Sequence, residues 1–132
     1  MKKEINVVAA IIKEGNKIFA AQRGYGEFKD GWEFPGGKVE KKESLEEALI
    51  REICEELHVL IKIDRYFDHV DYEYPSFILH MDCFLCSLQK GKIKIDVHEA
   101  YRWLDQAQLD QVEWLPADIQ VVEKLKNADL MG

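Results

Sequence analysis

The sequence predicts an α/β fold, a mixed β-sheet held between helices, and three observations carry that expectation. Ile5 to Ile12 and Lys17 to Gln22 are β-branched and apolar runs separated by Glu14-Gly15-Asn16, the pattern of a strand hairpin with a Gly-containing turn. Leu45, Leu49, Ile53 and Leu57 recur every four residues, the apolar stripe of an amphipathic helix. Several more strand-like runs and a closing helical segment follow, and strands and helices in this order pack as a sheet between helical layers.

After the first hairpin, Gly24-Tyr25-Gly26 through Asp30-Gly31 reads as a loop. Glu33-Phe34 is a short extended stretch, since Pro35 disfavours helical backbone in the residue before it. The first helix starts at a capping box, Ser44 followed three residues later by Glu47, in which each side chain satisfies a backbone donor. Leu60 to Tyr72 alternates apolar and polar residues as a strand, and Pro75 marks a turn. Phe77 to Leu88 is apolar on both faces, as in a central strand. Lys90-Gly91 turns into Lys92 to Val97, where Ile93 and Ile95 alternate with Lys92, Lys94 and Asp96, the look of an edge strand. His98-Glu99-Ala100 reads as a loop, Tyr101 to Leu104 as a strand, and Leu109 to Leu115 as irregular chain. Pro116-Ala117-Asp118 opens the last helix, with Ile119, Val122 and Leu125 at helical spacing. Trp32, Trp103 and Trp114 are assigned to the core.

A chain of 132 residues, 47% apolar and 33% charged, is expected to form one domain over residues 1–132. Its net charge of −7 lacks the basic footprint of a protein that binds a nucleic acid polymer. The N-terminal MKKEINVVAAII is too short an apolar run for a signal peptide, and no stretch approaches a membrane span. Cys54, Cys83 and Cys86 complete no zinc site. Cys83 and Cys86 lie an odd number of residues apart on a strand and so point to opposite faces. Buried free thiols in a cytoplasmic protein, a monomer or homodimer, are the expectation.

The chemistry concentrates between Gly36 and Val59, where seven of twenty-four residues are glutamates. Glu52, Glu55 and Glu56 share a helical face, and like charges at that spacing repel by roughly 0.2–0.5 kcal/mol per pair. Arg51 relieves only part of this. A hard divalent cation relieves it better, and such ions favour sites shared with substrate phosphates. Gly36-Gly37 just before the helix lets backbone come close to whatever the carboxylates hold.

From Gly37 the order is Gly, five residues, Glu43, seven residues, then Arg51-Glu52-Ile53-Cys54-Glu55-Glu56-Leu57-His58-Val59. Residues 37–59 closely resemble the Nudix box, departing from it only at His58, where the family has glycine. The resemblance implies an α/β/α sandwich with a mixed sheet between helices, and it extends over nearly the whole chain. Ala21 to Arg23, Trp32 to Glu40 and Leu115 to Asp118 make the chain look most like the MutT-type and CTP pyrophosphohydrolase-type members. Such enzymes convert a nucleoside triphosphate to the monophosphate and pyrophosphate.

The resemblance implies Mg²⁺ or Mn²⁺ held by Glu52, Glu55, Glu56 and the Gly37 carbonyl, with Glu52 the leading general base. Glu99 is a second candidate for base or metal ligand, against the simpler reading of an exposed loop acid. Arg51 is expected to orient its neighbours, reaching Glu47 and Glu55 at four-residue spacing and, by the family pattern, Glu43. Lys38 is a candidate phosphate contact. Arg23, Phe34, Tyr74 and Asp118 match nucleoside-contacting positions, and an Asp118 carboxylate suits an exocyclic amine or the extra N–H of an oxidised purine. Phe34 and Tyr74 are equally well core or rim packing, and Asp118 equally well a helix cap. His58 is expected in the left-handed conformation that ends a helix. The substrate expectation is 8-oxo-dGTP first and CTP, dCTP or a modified cytidine nucleotide second. The reading from another class is a non-catalytic nucleotide-binding module.

Overall fold

The computed structural model describes residues 2–130. Seven strands, β1 (Lys3–Glu14), β2 (Lys17–Arg23), β3 (Trp32–Glu33), β4 (Gly36–Lys38), β5 (Leu60–Glu73), β6 (Phe77–Lys90) and β7 (His98–Leu104), form one sheet. Helix α1 (Leu45–Leu57) and helix α2 (Pro116–Lys126) flank it, with a 3₁₀ turn at Gln106–Gln111.

Strand β1 is the backbone of the assembly. One edge pairs in parallel with β6 over Lys3 to Ile12. The other edge is divided, with Val7 to Ala9 taking β4 and Lys13-Glu14 taking β2. Beyond these, β2 carries β3 and β7, and β6 carries β5. One parallel pair among antiparallel ones makes the sheet mixed, as expected.

Alternation along the strands feeds two cores. Val8, Ala10, Ile12, Phe19, Phe84 and Cys86 face α1, which contributes Ala48, Leu49, Ile53 and Leu57. Ala9, Ile11, Ile18, Met81, Cys83 and Leu85 face α2 and the 3₁₀ turn. Cys83 and Cys86 thus occupy opposite faces, while Cys54 is exposed rather than buried. One position past Ile53 turns a side chain about 100° off the apolar stripe.

Three other expectations change, and one further strand goes beyond them. Lys92 to Val97 is not a strand: Ile93 and Ile95 do pack inward, but onto the α1 core. There the Lys94 amide donates to the Leu57 carbonyl at 3.0 Å, covering an open helix end. His98 to Ala100 is not a loop but the start of β7. Gly36–Lys38, poor in strand-forming side chains, is a strand because β1 offers it an edge. Ile119 is 47% exposed, and α2 instead buries Ala117, Asp118, Val121, Val122 and Leu125. Among the described residues, no helix is long and apolar enough to cross a membrane.

Candidate active site

The acidic helix begins as its sequence dictates. Ser44 Oγ accepts from the Glu47 amide at 3.1 Å and the Glu47 carboxylate accepts from the Ser44 amide at 2.9 Å. It ends at His58, whose φ of 60° and ψ of 34° are left-handed and whose N–H donates to the Cys54 carbonyl. The His58 ring is held by Asp96 at 2.5 Å, so the residue that replaces glycine brings its own partner.

Arg51 is the hub of the polar face. Its Nε and Nη2 donate to Glu43 Oε2 and Oε1 at 2.7 and 2.9 Å, a two-armed pair. Its Nη1 reaches Glu52 at 2.8 Å and Glu55 at 3.3 Å, and Nη2 also donates to the Lys38 carbonyl at 3.1 Å. Arg51 holds the Glu43 carboxyl down near 2, with help from the Glu40 amide. Glu47, engaged in the cap, is not among the Arg51 partners.

Glu52 and Glu56 are mostly covered, at 19% and 20% side-chain exposure, whereas Glu55 is open at 58%. The three do not converge: among the described residues, the one group of three potential ligands within 4.8 Å of each other lies elsewhere, at His69, Asp71 and His80. Arg51 draws Glu52 and Glu55 to itself, while Glu56 faces His98 at 3.9 Å. Burial first, and then the charges of Glu33 and Glu52, push the Glu56 carboxyl up to about 8. The Gly37 α-carbon rests against Glu52, and a Cβ there would overlap the carboxylate. Oxygen donors beside bare backbone are the kind a hard divalent cation takes, and such an ion would relieve the like-charge part of what raises Glu56.

Glu33 and His98 join this group unannounced by the sequence. His98 Nε2 meets Glu33 Oε2 at 3.1 Å, and Arg23 Nε lies 3.7 Å from the same oxygen. The His98 side chain is 3% exposed, and its Nδ1 is the one buried side-chain polar atom without a partner among the described residues. Glu33 and His98 come from β3 and β7, two strands joined only through β2, so no local spacing relates them. A histidine opening a strand directly after the apolar Val97 was the available hint.

Glu99, expected in a loop, is the extra residue of a bulge in β7: Gln22 pairs with Ala100 and Arg23 with His98, leaving Glu99 unmatched. Its carboxylate lies 3.7 Å from Lys29, and a hydrogen bond with Asp30 raises its protonation range. The structure therefore ties Glu99 to the loop before β3.

Next to the acidic helix opens a cavity of about 240 Å³. Tyr25, Phe28, Phe34, Tyr74 and Phe77 supply aromatic wall; Arg23 and Glu33 supply charge and Asp118 a buried carboxyl; and Gly36, Gly37, Lys38 and Glu56 line it as well. Phe34 stacks on Trp114 at 4.6 Å and Tyr74 on Phe77 at 4.9 Å, so both are core residues with a face toward the cavity. The Trp32 amide donates to the Glu113 carbonyl and the Leu115 amide to the Trp32 carbonyl, bringing the start of α2 beside Phe34. Asp118 lies three residues into that helix rather than at its cap, which is Leu115. Its Oδ1 accepts from the Phe34 amide at 3.2 Å. Burial, reinforced by Glu33, raises the Asp118 carboxyl well above the usual range, which favours its neutral form.

Comparison with known proteins gives consistent matches. The family model described as NUDIX domain matches residues 2–125. The chain is 37% identical to the CTP pyrophosphohydrolase of Escherichia coli over 122 residues, covering 92% of this chain and 90% of that protein. It is 33% identical to the 8-oxo-dGTP diphosphatase of Haemophilus influenzae over 128 residues, covering 96% and 94%. The solution structure of MutT, a Nudix hydrolase from methicillin-resistant Staphylococcus aureus 252, superposes with a TM-score of 0.76 at 41% identity, covering 96% of this chain and 98% of that one.

Proposed function

Because this chain belongs to the Nudix family, we propose that it is a metal-dependent nucleoside triphosphate pyrophosphohydrolase. It converts a triphosphate and water to the monophosphate and pyrophosphate, acting first on oxidised purine nucleotides such as 8-oxo-dGTP. The observation that carries this reading is a continuity: one cavity is lined by the aromatic and Asp118 surfaces and also by Gly37, Lys38 and Glu56. A base in the first part directs its phosphates to the second.

Glu52, Glu55, Glu56 and the Gly37 carbonyl are the proposed ligands for Mg²⁺ or Mn²⁺, with Glu52 and Glu55 turning from Arg51 toward Glu56 to take the ion. When bound, such ions neutralise polyphosphate charge and make water a better nucleophile at neutral pH. Glu52 is the proposed general base that takes the proton of the attacking water, a reading supported by its hold on Arg51 and its place against Gly37. Glu99 is the second candidate, requiring release from Lys29 and Asp30. Lys38, exposed beside the cavity, meets the phosphate tail. Arg51 and Glu43 orient the ligands without touching substrate.

In the cavity, Phe34 and Tyr74 bound the base, and Asp118 reads its edge. A neutral carboxyl both donates and accepts, which matches a base edge carrying a carbonyl beside an N–H. Identity with the CTP pyrophosphohydrolase of Escherichia coli favours a second reading, CTP or dCTP, in which Asp118 accepts from the exocyclic amine. The non-catalytic reading loses support from a complete set of box carboxylates.

Steady-state kcat/KM with Mg²⁺ over 8-oxo-dGTP, dGTP, CTP and dCTP, reading pyrophosphate, tests this. Pyrophosphate release that disappears in Glu56→Gln is expected. Release of orthophosphate instead, or full turnover by Glu56→Gln, overturns it.

A further inference from the structure

The face of the sheet that packs on α1 ends in a histidine–carboxylate cluster. Phe84 and Cys86 of β6 lie in the core under the helix, and His80 and Asp82 continue the same alternating row. Glu4 continues the row of Val8, Ala10 and Ile12 on β1 in the same way. Across the antiparallel register, Asp71 of β5 stands opposite His80, and His69 opposite Asp82. Beyond the residues that α1 covers, this face therefore changes from apolar to polar and gathers two imidazoles and three carboxylates.

Their arrangement is more specific than a charged patch. Asp71 Oδ1 lies 2.7 Å from His69 Nε2 and 2.5 Å from His80 Nδ1, and the three potential ligand atoms are within 4.8 Å of one another. The outward ring nitrogens each have a separate carboxylate: His69 Nδ1 meets Asp82 at 2.7 Å, and His80 Nε2 meets Glu4 at 2.7 Å. Asp82 is fixed in turn by the Tyr66 hydroxyl at 2.5 Å. Histidines that bind metals commonly donate their second N–H to a carboxylate, which sets the tautomer and leaves the other nitrogen's lone pair for the ion. In the metal-free chain the inward nitrogens both sit on one oxygen of Asp71, so each is an N–H donor and each ring carries two protons. An ion taking that place releases the two inward protons to water and leaves the outward N–H groups on Asp82 and Glu4.

We propose that His69, Asp71 and His80 form a second metal site, for a borderline divalent transition cation of the Zn²⁺ class, with Asp82 and Glu4 orienting the two imidazoles. Two nitrogens and one carboxylate oxygen select such ions over Mg²⁺, which takes all-oxygen sites, so this site and the acidic helix draw on different metals. Bonds of about 2.0–2.1 Å in a tetrahedron place neighbouring ligand atoms about 3.3 Å apart. The two contacts to Asp71 have to open by less than about 1 Å, and the two ring nitrogens, within 4.8 Å of each other, have to close toward that spacing. Both movements are open to side chains with solvent on one side. The fourth ligand would be water, since all three side chains are partly exposed. Ligands on β5 and β6 make the ion a clip across that strand pair, stabilising the folded chain by mass action.

Zn²⁺ is titrated calorimetrically into the full chain in excess Mg²⁺, which occupies the carboxylate site, while imidazole ¹⁵N spectra are followed. One equivalent is expected to bind, moving the His69 and His80 ring nitrogens and leaving His58 and His98 in place. His69→Ala and His80→Ala abolish that equivalent, and Asp82→Asn weakens it about 10-fold. Mg²⁺-supported turnover is unchanged in His80→Ala. No bound equivalent, binding that persists in a His69→Ala/His80→Ala double variant, or binding that leaves both wild-type imidazole spectra unmoved would each overturn the proposal. The last measurement does not depend on any variant folding.

Discussion

Glu43 and Arg51 meet through both arms of the guanidinium, Nε to Oε2 at 2.7 Å and Nη2 to Oε1 at 2.9 Å. The pair anchors the loop before α1 to the helix and leaves Nη1 for Glu52 and Glu55. Lysine keeps the charge but loses the fork. Arg51→Lys is expected to lower kcat roughly 10–100-fold and to weaken Mg²⁺ binding, with an unchanged far-UV circular dichroism spectrum. Turnover equal to wild type would show that the fork orients nothing.

Gly36 and Gly37 separate stability from chemistry. A Cβ at Gly36 would run into the Val8 carbonyl on β1, so Gly36→Ala is expected to destabilise the fold by about 1–3 kcal/mol in urea titrations. A Cβ at Gly37 would meet the movable Glu52 side chain instead. Gly37→Ala is expected to cost little stability but about 100-fold in kcat, since displacing a reacting group by 1 Å can cost that much.

The acidic helix makes metal-free stability depend on pH. Glu56 has a folded value near 8 against an ordinary 4.5, so between these values the folded chain holds a proton that the unfolded chain releases. Its contribution is full below 4.5, falls as pH rises through the window, and is gone above about 8. The melting temperature in chelator is expected to fall across that range, while Glu56→Gln flattens the profile and excess Mg²⁺ raises the alkaline end.

Asp118→Asn retains an acceptor for the Phe34 amide and removes only the titrating group. Stability is expected to change by about 1 kcal/mol or less. The ratio of kcat/KM between 8-oxo-dGTP and dCTP is expected to shift at least about 10-fold, as a buried pairing partner is lost. An unaltered ratio would remove Asp118 from base recognition.

His58→Gly relieves a left-handed φ of 60° and loses the Asp96 contact. The backbone term is about 1–2 kcal/mol, and the solvent-exposed contact to Asp96 offsets only part of it. Denaturant titration is expected to show a gain of about 1 kcal/mol, with kcat unaffected.

Much of this architecture was legible because α1 is specified locally: its cap, stripe and acidic face all lie within a few turns of chain. Strand β4 was not, since Gly36–Lys38 has no strand preference and exists only because β1 has an open edge there. Lys92 to Val97 alternates as an edge strand does, yet its inward isoleucines find the end of a helix rather than a sheet. Periodicity reports that a face is covered, not what covers it. The same limit concealed Glu33 and His98, whose meeting depends on β2 standing between their strands.

The divided edge of β1 makes that strand a ruler. Val7, Val8 and Ala9 line the cavity while their backbone carries Gly36 to Lys38, so the proposed nucleobase seat and the proposed phosphate grip share three consecutive residues. Neither can slide relative to the other without breaking the ladder. On the proposed reading, a tail one phosphate shorter or longer than the span between them would arrive out of step with Glu52, and the scaffold itself would gauge chain length in the substrate.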